Sequence, residues 1–238
     1  MGSDDYGSDS FGRQIAPESH WPDMHALICI VSGDKKNTSS TSGMQRSVKT
    51  STLLDHRIEE VVPDRMEIIV QAIVKKDFDT FARMTMADSN QFHAIALDTE
   101  PPIFYMNDVS RAIISVIVEY NRLSVAAGTG YKAAYTFDAG PNAVIYALDK
   151  NMKEIIELIV AYFPQEENSF KDVFNLFGGS QLRGQVPAGF NEKVAKSYGV
   201  GVVKGLIHTR IGDGPRNLGE EEALLDAGGL PQNLRSGN

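Results

Sequence analysis

Short apolar runs and longer helical stripes follow one another along this chain without strict alternation, and that order constrains the fold more than any other feature. Residues 26–31, 133–137 and 143–148 are apolar runs that read as buried or β-prone strands. The first stops at Ser32-Gly33-Asp34 and the second at Asp138-Ala139-Gly140-Pro141, both turn-forming stretches. Residues 202–211 predict a further strand, with Val203, Gly205, Ile207 and Thr209 on one face and Lys204, Leu206, His208 and Arg210 on the other. Strands and helices mixed in this way predict an α+β fold, with helices packed on a mainly antiparallel sheet.

The helices are read from their stripes. Pro63 suits a first helical turn, where its missing N–H costs nothing, and Met66, Ile69, Val70 and Ile73 follow at helical spacing. A second helix is expected from Asp77 to about Met86, before Pro101-Pro102 breaks the chain. Ser110 is read as the cap of a third, carrying Ile113, Ile117 and Tyr120. Asn151 with Glu154 resembles a capping box opening a fourth, striped by Met152, Ile155, Ile156 and Ile159. These stripes read as core. Residues 1–20 read as a remnant or mobile tail, 21–163 as the main domain, and 164–238 as a glycine-rich insertion, a returning strand and an irregular end.

Charge and composition exclude several functions. The formal net charge is −8, which disfavours a nucleic-acid footprint of clustered Lys and Arg. No apolar stretch reaches membrane-spanning length, and the acidic N-terminus resembles neither a signal nor a transit peptide. The single cysteine, Cys29, lies within an apolar run, so a buried structural thiol and a reducing, cytoplasmic setting are expected. The five histidines are scattered, no metal-ligand spacing is present, and Gly128-Thr129-Gly130 lacks the rest of a dinucleotide fingerprint.

Three polar constellations could carry chemistry. In Phe137-Asp138-Ala139-Gly140-Pro141-Asn142, a carboxylate follows a strand and precedes small, stiff residues. An Asx turn joining two strands accounts for it, and so does a general base needing a fixed, partly buried position. In Ser39-Ser40-Thr41-Ser42-Gly43-Met44, hydroxyls precede a helix, with Lys35 and Lys36 nearby. Capping and anion binding both fit that pattern. Asp88-Ser89-Asn90-Gln91-Phe92-His93 and Phe104-Tyr105-Met106-Asn107-Asp108 either line a cleft or end a helix, with His93 a candidate acid or base.

Several segments together resemble the diphosphomevalonate decarboxylases of the GHMP kinase superfamily, especially the fungal ones. Those segments are Trp21-Pro22-Asp23-Met24, the Ser39 to Gln45 stretch, Val61-Val62-Pro63-Asp64-Arg65, Lys76-Asp77-Phe78, the stretch from Met86 to Ala94, Pro101 to Asp108, and Ala134 to Ala143. The resemblance implies a GHMP-type C-terminal domain lacking most of the family's N-terminal half, which carries the nucleotide loop and the diphosphate contacts. It implies ATP-dependent decarboxylation of mevalonate diphosphate to isopentenyl diphosphate, with ATP and Mg²⁺ as cofactors and an isoprenoid diphosphate precursor as the small-molecule partner. Asp138 matches the catalytic aspartate. Ser40, Thr41 and Met44 fall in the loop approaching substrate, with Ala139 behind the same pocket. No residue is assigned to the nucleotide or to a metal.

An apolar face left by a half-fold would favour association, as a homodimer or with a full-length homologue. Two other readings stay open: a non-catalytic interaction module, and a different small-molecule enzyme using the same pocket.

Overall fold

The computed structural model describes residues 8, 11–31, 38–166, 169–215, 217, 219, 221–226 and 228–231. Most of the polar stretch 1–10, the Lys35-Lys36 segment and parts of the C-terminal tail lie outside these residues. In chain order the main elements are β1 (Met24–Ile30), α1 (Ser40–Thr50), α2 (Thr52–His56), a π turn (Arg57–Val61), α3 (Val62–Lys75), α4 (Phe78–Asp98), α5 (Asp108–Ala126), β2 (Ala134–Phe137), β3 (Ala143–Leu148), α6 (Asp149–Tyr162) and β4 (Gly205–Arg210). The strands form a four-stranded sheet in the order β2-β3-β1-β4, antiparallel at every junction. The expected α+β class and antiparallel sheet are both present.

Strand alternation gives the sheet two unlike faces. Phe137, Ala143, Cys29 and Leu206 lie in register across one face, with Tyr135, Ile145, Leu27 and His208 in the next row. All eight are buried. This face joins the core shared with α5 and α6, where Ile113, Ile117, Ile155, Ile156 and Ile159 are fully enclosed. Each such side chain stabilises the fold by about 1.5–3 kcal/mol relative to exposure. Cys29 belongs to this layer, and burial pushes its thiol up to about 12, which fits a structural rather than a reactive cysteine. The opposite face carries Thr136, Val144, Tyr146, Ile28 and Ile207 and is only partly covered.

Element ends depart from expectation where partners far along the chain decide them. Ser110 does not cap α5. Asn107 does, accepting from the Ser110 amide at 3.0 Å, while Ser110 Oγ accepts from the Asn107 amide at 3.3 Å. Asn151 and Glu154 form no capping box. β3 runs directly into α6, and the Asp149 amide donates to the Asp23 carbonyl at 2.8 Å instead. α4 does not stop near Met86 but continues to Asp98, because its polar middle finds partners on neighbouring elements. β4 is confined to Gly205–Arg210, shorter than 202–211. Among its described residues the stretch 164–200 holds a single 3₁₀ turn, Glu192–Val194, yet sends Phe177 and Phe190 into the core.

Antiparallel register also creates a histidine pair. His25 Nδ1 lies 2.8 Å from His208 Nε2, both rings are buried, and Phe174 covers them. Asp149 Oδ1 stands 3.6 Å from His25 Nδ1. Burial, followed by the neighbouring His25, holds His208 down to about 4 from an ordinary 6.5. The unfolded chain therefore takes up a proton that the folded chain refuses, between the two values. Stability is present above about pH 6.5 and falls as pH drops toward about 4. Urea unfolding across this window should show that decline, and His208→Gln should flatten it; an unchanged slope in the variant would contradict the assignment.

Candidate functional site

Asp138 opens the loop 138–142 that joins β2 to β3, closed by the Phe137–Ala143 pair. Side chains from separate elements hold this loop. Ser89 of α4 accepts from the Phe137 amide at 3.0 Å. Ser110 of α5 donates its hydroxyl proton to the Pro141 carbonyl at 2.8 Å. Asn142 Oδ1 accepts from the Val31 amide, just beyond β1, at 2.8 Å. Within the loop, the Gly140 amide donates to the Asp138 carbonyl at 2.7 Å. Asp138 itself is exposed, so the fixed position expected of a base is present, whereas the partial burial is not supplied by the described residues. Ala139 is half-buried beside it.

The start of α1 approaches through an aromatic bridge. Ser39 caps the helix by accepting from the Ser42 amide at 3.1 Å, which leaves the Ser40 and Thr41 side chains exposed in the first turn. Met44 is 65% exposed and forms no part of the core. Gly43 is buried, and the Tyr105 hydroxyl lies where its Cβ would be. Tyr105 stacks on Phe92 and meets the edge of His93, and His93 packs against Phe137. His93 lies in the C-terminal third of α4, five residues before its last residue, Asp98. Thus α1, Tyr105, His93 and the Asp138 loop form one continuous wall.

Electrostatics along the wall favour a neutral imidazole. Burial lowers the His93 pKa, against the opposing Phe137 carbonyl and Asp138 charge. His93 Nε2 is buried without a hydrogen-bond partner among the described residues. Burial raises the Tyr105 pKa, partly offset by the Arg46 cation. Arg46 was not singled out by motif. It donates to Thr38 Oγ1 at 3.2 Å and keeps Nε unpaired among the described residues, beside the α1 hydroxyls.

The fit to a nucleotide is different. Among the described residues no cluster of three or more carboxylate, imidazole or thiol groups is placed to hold a metal ion. No helix among them is long and apolar enough to cross a membrane.

Residues 26–218 match the family model for the mevalonate 5-diphosphate decarboxylase C-terminal domain. The chain belongs to this family. A diphosphomevalonate decarboxylase from Ganoderma lucidum is 66% identical over 232 residues, covering 98% of this chain and 58% of that relative. The structure of mevalonate diphosphate decarboxylase from Trypanosoma brucei superposes with a TM-score of 0.77 at 31% identity, covering 94% of this chain and 58% of that one. A third, described as MDDEF in complex with MVAPP, AMPPCP and magnesium, gives a TM-score of 0.50 at 26% identity, covering 59% and 41%. The chain thus spans somewhat more than half the length of the first two relatives and less than half of the third. The fold is that of the Trypanosoma brucei enzyme over the matched span.

The close approach at Gly43 is testable. Alanine in a helix gains roughly 1 kcal/mol over glycine, but forcing a methyl into the core costs about 1–3 kcal/mol. The clash should win, because Tyr105 is held by Phe92 and His93 and cannot easily give way. Gly43→Ala should destabilise the chain in chemical denaturation. In a Tyr105→Phe background, where the nearest ring atom is 3.3 Å away, most of that loss should disappear. Equal losses in both backgrounds would refute the contact.

Proposed function

We propose that this chain takes part in ATP-dependent decarboxylation of mevalonate diphosphate to isopentenyl diphosphate, with Asp138 as its catalytic carboxylate. The supporting observation is an exposed aspartate on a loop anchored from α4, α5 and β1 in a member of the decarboxylase family. ATP supplies the phosphoryl group that turns the substrate's tertiary hydroxyl into a leaving group. Asp138 would accept that hydroxyl's proton or hold its oxygen in line, a task that depends on position more than on exotic chemistry. Ser40, Thr41 and Met44, exposed at the start of α1, would face the substrate, with Ala139 behind Asp138. Arg46 would add positive charge near an anionic substrate.

On the same footing, we propose that 1–20 is a remnant or tail, 21–163 a GHMP-type C-terminal domain and 164–238 a glycine-rich insertion, a returning strand and an irregular end, in a cytoplasmic protein. Self-association, or pairing with a full-length homologue, would cover the partly open sheet face.

The test is release of labelled carbon dioxide from mevalonate diphosphate with ATP and Mg²⁺. Asp138→Asn should lower the rate by at least about a hundredfold. Its unfolding midpoint should stay unchanged, because the side chain is exposed. Full activity in the variant would remove Asp138 from the mechanism. Absence of turnover by the unaltered chain would overturn the proposed activity.

A further inference from the structure

The partly open sheet face meets α3 and α4 at a cavity of about 350 Å³. Its size and mixed lining are those of a small-molecule site. Ile69, Phe81 and Met84 give it an apolar wall, and Thr136 and Tyr146 contribute hydroxyls. Charge is concentrated in Arg57, Arg65 and Asp88. Two guanidiniums against one carboxylate leave one positive charge uncompensated.

The two arginines are used differently. Arg57 grips Asp88 with both terminal nitrogens, at 2.7 and 2.9 Å, and reaches Gln91 Oε1 at 2.7 Å. Arg65 uses only Nη1, which donates to Asp88 Oδ1 and Gln91 Oε1 at 3.1 Å and to the Ala87 carbonyl at 3.2 Å. Its Nε and Nη2 have no acceptor among the described residues. Burial would raise the Asp88 pKa, but hydrogen bonds from Arg57 and Arg65 outweigh that and keep the carboxyl below its usual range. Asp88 is thus already committed, and the remaining Arg65 edge is a planar fork suited to a carboxylate or phosphate.

We propose that this cavity binds a small amphipathic anion, with a phosphate or carboxylate on the free edge of Arg65 and a short apolar tail against Ile69, Phe81 and Met84. The inference does not rest on the decarboxylase chemistry. Its functional consequence is a ligand site between α3, α4 and β2, the strand that ends just before Asp138.

Thermal unfolding of the full chain should be followed with hexyl phosphate, hexanoate, inorganic phosphate and 1-hexanol, since a ligand bound only to the native state raises the midpoint. A saturable rise with hexyl phosphate or hexanoate supports the site, and the stronger of the two identifies the head group. No rise with either, or an equal rise with inorganic phosphate or hexanol, overturns it. Arg65→Gln should weaken binding at least about tenfold, the scale of a lost charged hydrogen bond. That variant also loses its contact with Asp88, so Ile69→Trp offers a second test by filling the cavity while leaving both guanidiniums. Unchanged affinity in both variants would refute the proposal.

Discussion

The structure depends on how three side chains hold one hairpin loop. Ser89, Ser110 and Asn142 each complete a backbone hydrogen bond that the turn cannot make for itself. Buried amides and carbonyls without partners are costly, so these contacts fix the loop and tie α4, α5 and β1 to one end of the sheet. A carboxylate on an ordinary turn would sample many positions. Here its backbone is set by groups from three elements, which is the preorganisation that acid–base chemistry exploits.

The same arrangement explains why α4 is long and polar in the middle. Ser89 reaches the Phe137 amide, Asn90 accepts from Tyr135 Oη at 3.1 Å, and Asp88 and Gln91 hold Arg57 and Arg65. His93 completes the row and passes contact from Phe137 to Tyr105, which seats Gly43 at the start of α1. One helix therefore positions the Asp138 loop, supports the first turn of α1 and closes the arginine-lined cavity.

Much of this was legible in the residue order. The stripe of Met152, Ile155, Ile156 and Ile159 predicted a buried helix, and all four are fully enclosed. The apolar runs predicted β1, β2 and β3, and the family likeness drew Asp138 out of a turn that spacing alone left ambiguous. Helix ends were less legible because tertiary partners decide them: Ser110 is occupied with Pro141 and Asn107, and β3 leaves no room for a cap before α6. The His25–His208 pair and the Arg57–Asp88 grip were not legible at all. Each joins residues far apart in the chain, brought together by sheet register or by helix packing. Arg46 carried no motif, and only its place beside Tyr105 marks it.

The most direct test of the anchored loop is amide hydrogen exchange at Val31, Phe137 and Gly140, the donors that define it. The account predicts protection at Val31 and Phe137 close to that of the β3 amides, since opening either requires separating elements rather than fraying a turn. It also predicts selective loss of Val31 protection in Asn142→Ala. Exchange at these amides near the rate of an unstructured peptide would contradict the view that Asp138 stands on a rigid platform.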